Sequence, residues 1–93
     1  MTLSELLVKM GTIVNGYMES YQSDFYVHDT HRLYEYNGSD VKFIWFVYAN
    51  GTGLFFDTDP QCEAFRNSHA KGYYRGYEIK IGVDGSYEME RVY

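Results

Sequence analysis

Two apolar runs, residues 43–49 and 54–56, lie on either side of Asn50 and Gly51. Asn-Gly suits the two positive φ angles of a type I′ turn, so the pattern predicts a β-hairpin with these two residues as its loop. Both faces of this hairpin are apolar, although a strand that is wet on one side alternates apolar and polar residues. Each face must therefore be covered, either by the chain itself or by a partner. One face carries Phe43, Trp45, Val47, Leu54 and Phe56, and the other carries Ile44, Phe46, Tyr48 and Phe55.

Apolar residues at helical spacing predict a first helix over residues 2–21. Thr2 and Glu5 have the T-x-x-E spacing of a capping box, which marks the start of this helix. The pattern after it is weaker and breaks into short pieces. These pieces are a short strand at residues 24–27, one or two helical turns at residues 29–36, and a turn at residues 37–40.

A second helix is predicted to begin at Asp59 and Pro60, because aspartate is a good N-cap and proline fits the first helical position. Glu63 lies in the first turn, where the positive end of the helix dipole favours a carboxylate. Gly72 has the position of a C-cap glycine, so the helix is expected to stop just before it. Residues 73–76 are then predicted to form a loop.

Residues 77–83 alternate between apolar and polar side chains, which predicts a half-buried strand. The turn after it can be assigned from the pairing that it produces. A two-residue loop would set a glutamate opposite Ile81. A three-residue loop at residues 83–85, with Gly85 in the left-handed region, instead pairs Ile81 with Tyr87 and keeps one face apolar.

These elements predict one domain, residues 1–93, with an α+β fold. The expected architecture is a four-stranded, largely antiparallel sheet with two helices on one face, in the order α-ββ-α-ββ. Its other face would then expose the second side of the central hairpin, and such a patch usually marks an interaction surface. A symmetric homodimer is the commonest way to cover it, and the alternative is that residues 22–40 fold over it. The residues of this predicted dimer interface are Ile44, Phe46, Tyr48 and Phe55.

The chain of 93 residues has a net charge of −5, and the acidity lies in its first two-thirds. Residues 1–63 hold nine carboxylates and three cations, a net −6, whereas residues 64–93 hold four and five, a net +1. The single cysteine excludes an internal disulfide and fits a reducing compartment. No signal peptide is visible, and no apolar run approaches the ~20 residues that span a bilayer. We therefore expect a soluble, cytoplasmic protein.

Groups that often carry chemistry are present but do not form a catalytic or metal-binding signature. His28 and His31 stand among acids, yet zinc needs three or four convergent ligands and no second ligand pair has suitable spacing. Asp57 and Asp59 have the spacing of paired carboxylates, but a strand end and a helix cap explain them better. We expect no enzyme activity, no catalytic residues, no metal and no cofactor.

Two further groups have an ordinary structural explanation. Cys62 and His69 suggest a nucleophile and a base, but they share a predicted helical face with Phe65, which favours a place in the core. Residues 71–77 mix cations, glycines and tyrosines in a way that suits base stacking. Phosphate contacts dominate nucleic-acid affinity, and the net negative charge has the wrong sign for them. We therefore expect no direct binding to nucleic acid, and none to membranes.

The acidic residues recur along the chain with few cations between them. Duplex DNA is a dense line of negative charge, so a protein that presents carboxylates in its place would attract the basic cleft of a DNA-binding protein. A solvated surface is the ordinary explanation of such a series, and DNA mimicry is the functional one. The candidate partner-binding residues are Glu19, Asp24, Asp29, Glu35, Asp40, Asp57, Asp59 and Glu63.

The chain as a whole also resembles a known group of proteins. Its size, acidity, tyrosine content, lone cysteine and first segment, MTLSELLVKMGTIVNGYM, are similar to those of the small early proteins of T-even-type phages. Among these it most resembles the anti-restriction nuclease (Arn) proteins. The resemblance implies a DNA mimic, dimeric, that occupies a host DNA-binding protein such as a restriction nuclease or a histone-like nucleoid protein.

Two functional hypotheses follow from the sequence. The first is a non-catalytic inhibitor that mimics DNA through its acidic surface. The alternative is a specific protein-binding module, such as an immunity protein or another phage anti-defence inhibitor, that uses tyrosines rather than carboxylates. Tyr26, Tyr34 and Tyr36 are the tyrosines that we expect to carry the second function.

Overall fold

The computed structural model describes residues 1–17, 30–48, 51–68 and 72–93. Four strands form one antiparallel sheet in the order β2-β1-β3-β4, and the helices pack against it. This confirms the predicted α+β fold. No helix in these ranges is long and apolar enough to cross a bilayer. The elements are α1 (Leu3–Tyr17), α2 (residues 30–35), β1 (Val41–Tyr48), β2 (Gly51–Phe56), α3 (Pro60–Ser68), β3 (Tyr74–Ile81) and β4 (Tyr87–Arg91).

The first helix starts as its capping box predicts. The backbone N–H of Thr2 donates to Glu5 Oε1 at 2.9 Å, and the N–H of Glu5 donates to Thr2 Oγ1 at 3.2 Å. These two bonds satisfy donors that have no partner within the helix. The last part of the predicted helix, residues 18–21, and the predicted strand at residues 24–27 lie outside the described residues.

Each face of the sheet has its own apolar core, because alternate residues of a strand point to opposite faces. On the second face, α3 packs Cys62 and Phe65 against Ile44, Phe46 and Tyr74 of the sheet. On the first face lie α1 and α2. The buried residues of that first core are Leu6, Met10, Val14, Leu33, Phe43, Trp45, Val47, Leu54, Tyr77, Ile79, Ile81, Tyr87 and Met89.

The placement of the two predicted helices on one face is therefore wrong, since α1 and α3 lie on opposite faces. The connection from β2 to β3 crosses β1, and α1 already covers one face of that strand. The other face is apolar as well, so α3 buries its own apolar side there. Sequence patterns give the apolar side of a helix, but they do not give the side of the sheet on which it packs.

The position of α3 on this face removes the reason for expecting a dimer at the hairpin. Ile44 is 2% exposed and Phe46 is fully buried within the single chain, while Tyr48 and Phe55 are half-buried. The ring of Phe65 stacks on Phe46 with centroids 4.4 Å apart. The patch that was predicted to be exposed at this face is thus covered by α3. The homodimer itself stays a prediction.

The central hairpin has the predicted faces but a different register. Trp45 pairs with Leu54, and Tyr48 pairs with Gly51, so Gly51 belongs to β2 and not to the loop. The predicted loop of Asn50 and Gly51 is therefore wrong, and the pairing is shifted by two positions from the one that this loop would give. Because the shift is an even number of positions, every side chain stays on its predicted face.

The strand β3 begins at Tyr74, so the loop predicted at residues 73–76 is wrong. Tyr74 pairs with Tyr48, and Gly76 pairs with Phe46 of β1. Gly72, just before this stretch, and Gly76 within it indicate a loop from sequence. Gly76 is nevertheless part of the ladder. Its lack of a side chain leaves room beside Phe46 for the ring of Tyr93.

The second hairpin has the predicted register. Ile81 pairs with Tyr87 and Ile79 with Met89. Gly85 has a φ of 83°, which is the left-handed conformation expected at that position of the loop. The N–H of Gly85 donates to the carbonyl of Gly82 at 3.0 Å and closes the turn.

Candidate protein-binding surface

The acidic series predicted to bind a partner is divided by the structure into three groups. Glu19, Asp24 and Asp29 lie outside the described residues. Asp57 and Asp59 have structural partners. The remaining three are exposed, at separate places on the surface: Glu35 on α2, Asp40 before β1, and Glu63 in the first turn of α3.

Asp57 is largely neutralised by its neighbours. Its carboxylate lies 3.4 Å from Lys42 Nζ and 3.6 Å from Arg66 Nη2, and its side chain is 34% exposed. Two cations at this distance cancel much of the field that a single carboxylate would present to a partner. Asp57 therefore joins the end of β2 to β1 and α3, and it is a poor phosphate mimic.

Asp59 is the N-cap of α3, as its position before Pro60 predicts. Its Oδ1 accepts the backbone N–H of Gln61 at 2.8 Å, and its carbonyl accepts that of Cys62 at 2.9 Å. These bonds satisfy donors at the start of the helix. The carboxylate thus holds in place the helix that covers the second face of the sheet.

A row of ion pairs, which was not predicted from sequence, crosses this second face beside α3. Lys42 Nζ lies 3.7 Å from Glu78 Oε2, and Lys80 Nζ lies 3.3 Å from Glu78 Oε1. Arg66 and Asp57 continue the row toward α3. The alternation of charged residues in β3 was visible in the sequence, but the partners of each charge depend on which strands are neighbours.

Two more carboxylates that sequence reasoning missed lie on the neighbouring strand. Glu88 and Glu90 of β4 are exposed and point to the same face as the ion pairs. In the described part of the chain, no cation lies within 4 Å of either carboxylate. An open groove of about 370 Å³ runs past this strand, between Asp40, Lys80 and Glu88. The signal available in the sequence was the period-two spacing of glutamates in YEMER.

The tyrosines expected to bind a partner are also in different environments. Tyr26 lies outside the described residues, and Tyr34 is 55% exposed on α2. Tyr36 is half-buried and packs edge-on against Phe43 and Phe56, so it belongs to the core. The most exposed tyrosine of the described chain is one that was not predicted, Tyr73, at 71%.

The segment considered for base stacking mostly belongs to the sheet. Tyr74 and Tyr77 are buried on opposite faces of β3, and only Tyr73 and Arg75 are exposed among its described aromatic and basic residues. Lys71 lies outside the described residues. A surface that stacks successive bases needs several exposed rings beside cations, and the described part of this segment does not offer them.

The groups considered for chemistry do not converge in the described ranges. No three histidine, cysteine, aspartate or glutamate side chains there are placed to hold a metal ion. His31 lies 3.6 Å from Glu35 on the exposed side of α2. Cys62 is buried, and burial raises the pKa of its thiol, so the reactive thiolate is disfavoured. His28 and His69 lie outside the described residues.

Comparison of the chain with protein-family models, with curated proteins and with solved structures found no match.

Proposed function

We propose that the chain is a non-catalytic inhibitor that occupies a DNA-binding protein by presenting carboxylates where DNA presents phosphates. One observation supports this proposal. Most cations of the described surface are engaged in contacts within the chain, whereas several carboxylates face solvent without a cation. The engaged cations are Arg32, Lys42, Arg66, Lys80 and Arg91.

These contacts hold the cations at fixed places, so that several carboxylates stand apart from them although the net charge is unchanged. Arg32 donates to the carbonyl of Leu54 at 3.0 Å, and Arg91 Nε donates to the carbonyl of Tyr93 at 2.9 Å. Asp40 and Glu63 meet no cation within 4 Å in the part of the chain that is described. A partner with a basic DNA-binding cleft would be steered toward such a surface.

The acids that we assign to this function are those left facing outward, together with the ones in the segment that is not described. Asp57 and Asp59 are set aside because their partners lie within the chain. The remaining set is Glu19, Asp24, Asp29, Glu35, Asp40 and Glu63. The partner that we propose is a restriction nuclease or a nucleoid protein in the cytoplasm of a host cell, and a homodimer would double the acidic surface.

The experiment is a pull-down of bacterial lysate with the purified protein, followed by elution with duplex DNA. Release of the bound protein by DNA, together with affinity that falls steeply as salt rises, supports competition for one site. The triple substitution Asp24→Asn, Asp29→Asn and Asp40→Asn is expected to abolish binding while the circular dichroism spectrum stays unchanged. Binding retained by this folded triple variant would contradict the proposal.

A tyrosine-led protein-binding module is the second candidate, favoured by the exposure of Tyr34 and Tyr73. Exposed aromatic side chains provide large contact areas, and the affinity they give depends only weakly on salt. The double substitution Tyr34→Ala and Tyr73→Ala serves as the matched variant. This second function is supported if the tyrosine variant no longer binds the partner. The triple acid variant should then still bind it, and DNA should fail to elute it.

A further inference from the structure

The free edge of β4 is the feature of the molecule that the proposed function leaves unused. Its hydrogen bonds to β3 show which backbone groups face outward. The N–H of Val92 donates to Gly76, and the carbonyl of Ser86 accepts from Gly82. In an antiparallel pair such bonded residues alternate with residues whose N–H and C=O point away. The residues of β4 that point outward are therefore Tyr87, Met89 and Arg91.

Met1 already pairs with one end of this edge. Its amino group donates to the carbonyl of Tyr87 at 2.7 Å, and its carbonyl accepts the N–H of Tyr87 at 2.9 Å. Exchange of both bonds between two residues is the geometry of an antiparallel pair. Beyond it, the outward groups of Met89 and Arg91 meet no hydrogen-bond partner among the described residues.

The opposite edge of the sheet is protected in the usual way. On β2, the carbonyl of Leu54 accepts from Arg32 at 3.0 Å, and the carbonyl of Phe56 accepts the N–H of Asp59 at 3.0 Å. Natural proteins block edge strands with such contacts because free backbone groups pair with other chains. Among the described residues, the edge of β4 has this protection only at Tyr87.

The side chains beside the free edge restrict what can pair with it. Glu88 and Glu90 lie on one face of β4, exposed and without a cation within 4 Å in the described ranges. Antiparallel pairing of β4 with a second copy of itself, centred on Met89 or on Glu90, would set glutamates opposite each other, which is destabilising. The edge therefore disfavours a second copy and favours a strand with positive charges at the matching positions.

We propose that the edge of β4 binds an extended segment of another protein that carries two basic residues separated by one position. The segment adds as an antiparallel strand, with its main chain bonded to Met89 and Arg91 and its basic side chains facing Glu90 and Glu88. It leaves the edge after the residue that faces Glu88, because Met1 occupies the next position, opposite Tyr87. The position opposite Glu90 is a non-hydrogen-bonded pair, where cross-strand side chains approach most closely. This is recognition by strand addition, and it does not rest on DNA mimicry.

The test uses a capped peptide, Ser-Thr-Thr-Lys-Val-Lys, whose valine would face Met89 in this register. We expect the peptide to shift the NMR amide signals of Met89 and Arg91, and these shifts should saturate as the peptide concentration rises. A peptide with the lysines replaced by glutamates, and one N-methylated at valine, should both fail to do so. The proposal is overturned if these two amides do not respond, or if the N-methylated peptide binds equally well, since charge alone would then explain the binding.

Two substitutions separate the backbone contribution from the charge contribution. Arg91→Pro removes one outward N–H and no bond of the β3–β4 ladder, so it should abolish peptide binding, whereas Arg91→Thr should retain it. Glu88→Gln with Glu90→Gln should weaken binding by about threefold to tenfold at low salt. Glu63→Gln, on α3, is the matched control and should leave the affinity for the peptide unchanged. Equal binding by the proline and threonine variants would overturn the proposal.

Discussion

The ring of Tyr93 lies across Gly76, on the face of the sheet that α3 covers. Both the N–H of Val92, at 2.8 Å, and the N–H of Tyr93, at 3.2 Å, donate to the carbonyl of Gly76. Two residues opposite one form a bulge, which turns Tyr93 to the face opposite the one that simple alternation would give. There its ring stacks on Phe46, with centroids 6.0 Å apart, and Arg66 lies 5.4 Å above it.

Gly76→Ala should therefore destabilise the domain through a single methyl group. A Cβ at this position would overlap Cδ2 of Tyr93 and lie 3.1 Å from its Cβ and Cγ. The ring must move, and its aromatic contacts, typically worth about 0.5–1.5 kcal/mol, would be lost. Chemical denaturation followed by circular dichroism measures the change. In the background of Tyr93→Ala the same glycine substitution should cost much less.

Gly16→Ala is the matched control for this experiment. A Cβ at Gly16, near the end of α1, would meet no atom of the described residues within 4 Å. Because alanine is the better helix former, this substitution should raise the free energy of unfolding by roughly 0.5–1 kcal/mol. If both glycine substitutions stabilise the protein, Tyr93 does not pack on Gly76 in solution.

Asp59→Ala tests whether this carboxylate has the structural role assigned to it. The bond from Gln61 N–H to Asp59 is lost, so the free energy of unfolding should fall by about 1 kcal/mol, the usual cost of losing an N-cap. The exposed Asp40, substituted by alanine, should change stability by less than about 0.5 kcal/mol. Equal stability of the two variants would mean that Asp59 does not cap α3.

The turn between β3 and β4 should make the stability of the domain depend on pH. Hydrogen bonds from Ser86, first from its hydroxyl at 2.7 Å and then from its N–H at 3.0 Å, hold the pKa of Asp84 below its usual value. Since the pKa of this carboxyl is lower in the folded state, its contribution to stability is present above the unfolded pKa. That contribution is lost as the pH falls through the folded pKa. NMR titration of the Asp84 carboxyl should show the low value, and Ser86→Ala should raise it.

Cys62 should behave as a buried thiol and not as a reactive one. Burial raises its pKa, so the folded state keeps it protonated, and the associated stability is present below the unfolded pKa of about 8.5 and lost as pH rises above it. A thiol reagent at neutral pH should label the native protein only as fast as it opens, and the denatured protein at once. Immediate labelling of the native protein would show that α3 does not bury this side chain.

Local rules predicted much of the fold from sequence. The capping box at Thr2 located the start of α1, and Gly85 fixed the loop that sets the pairing of Ile81 with Tyr87. In both cases the decisive contacts lie a few residues apart. The face of each residue in the central hairpin was also predicted, because a register shift of two positions preserves it.

The parts that could not be predicted depend on contacts between distant elements. Nothing near α3 in the sequence states on which face it packs, and the strand at Tyr74 is hidden by the glycines around it. The surroundings of the acids could not be predicted for the same reason. Asp57 is neutralised by Lys42 from a different strand and by Arg66 from a helix, and both become neighbours only after folding.

The strand order has a consequence for how the chain folds. Each hairpin pairs residues that are close in sequence. β1 and β3 are neighbours in the sheet, but β2 and α3 separate them along the chain. Closing that longer loop costs more entropy than forming either hairpin. The two hairpins should therefore form early and the β1–β3 pairing late, so the slow step of folding is the docking of two preformed halves.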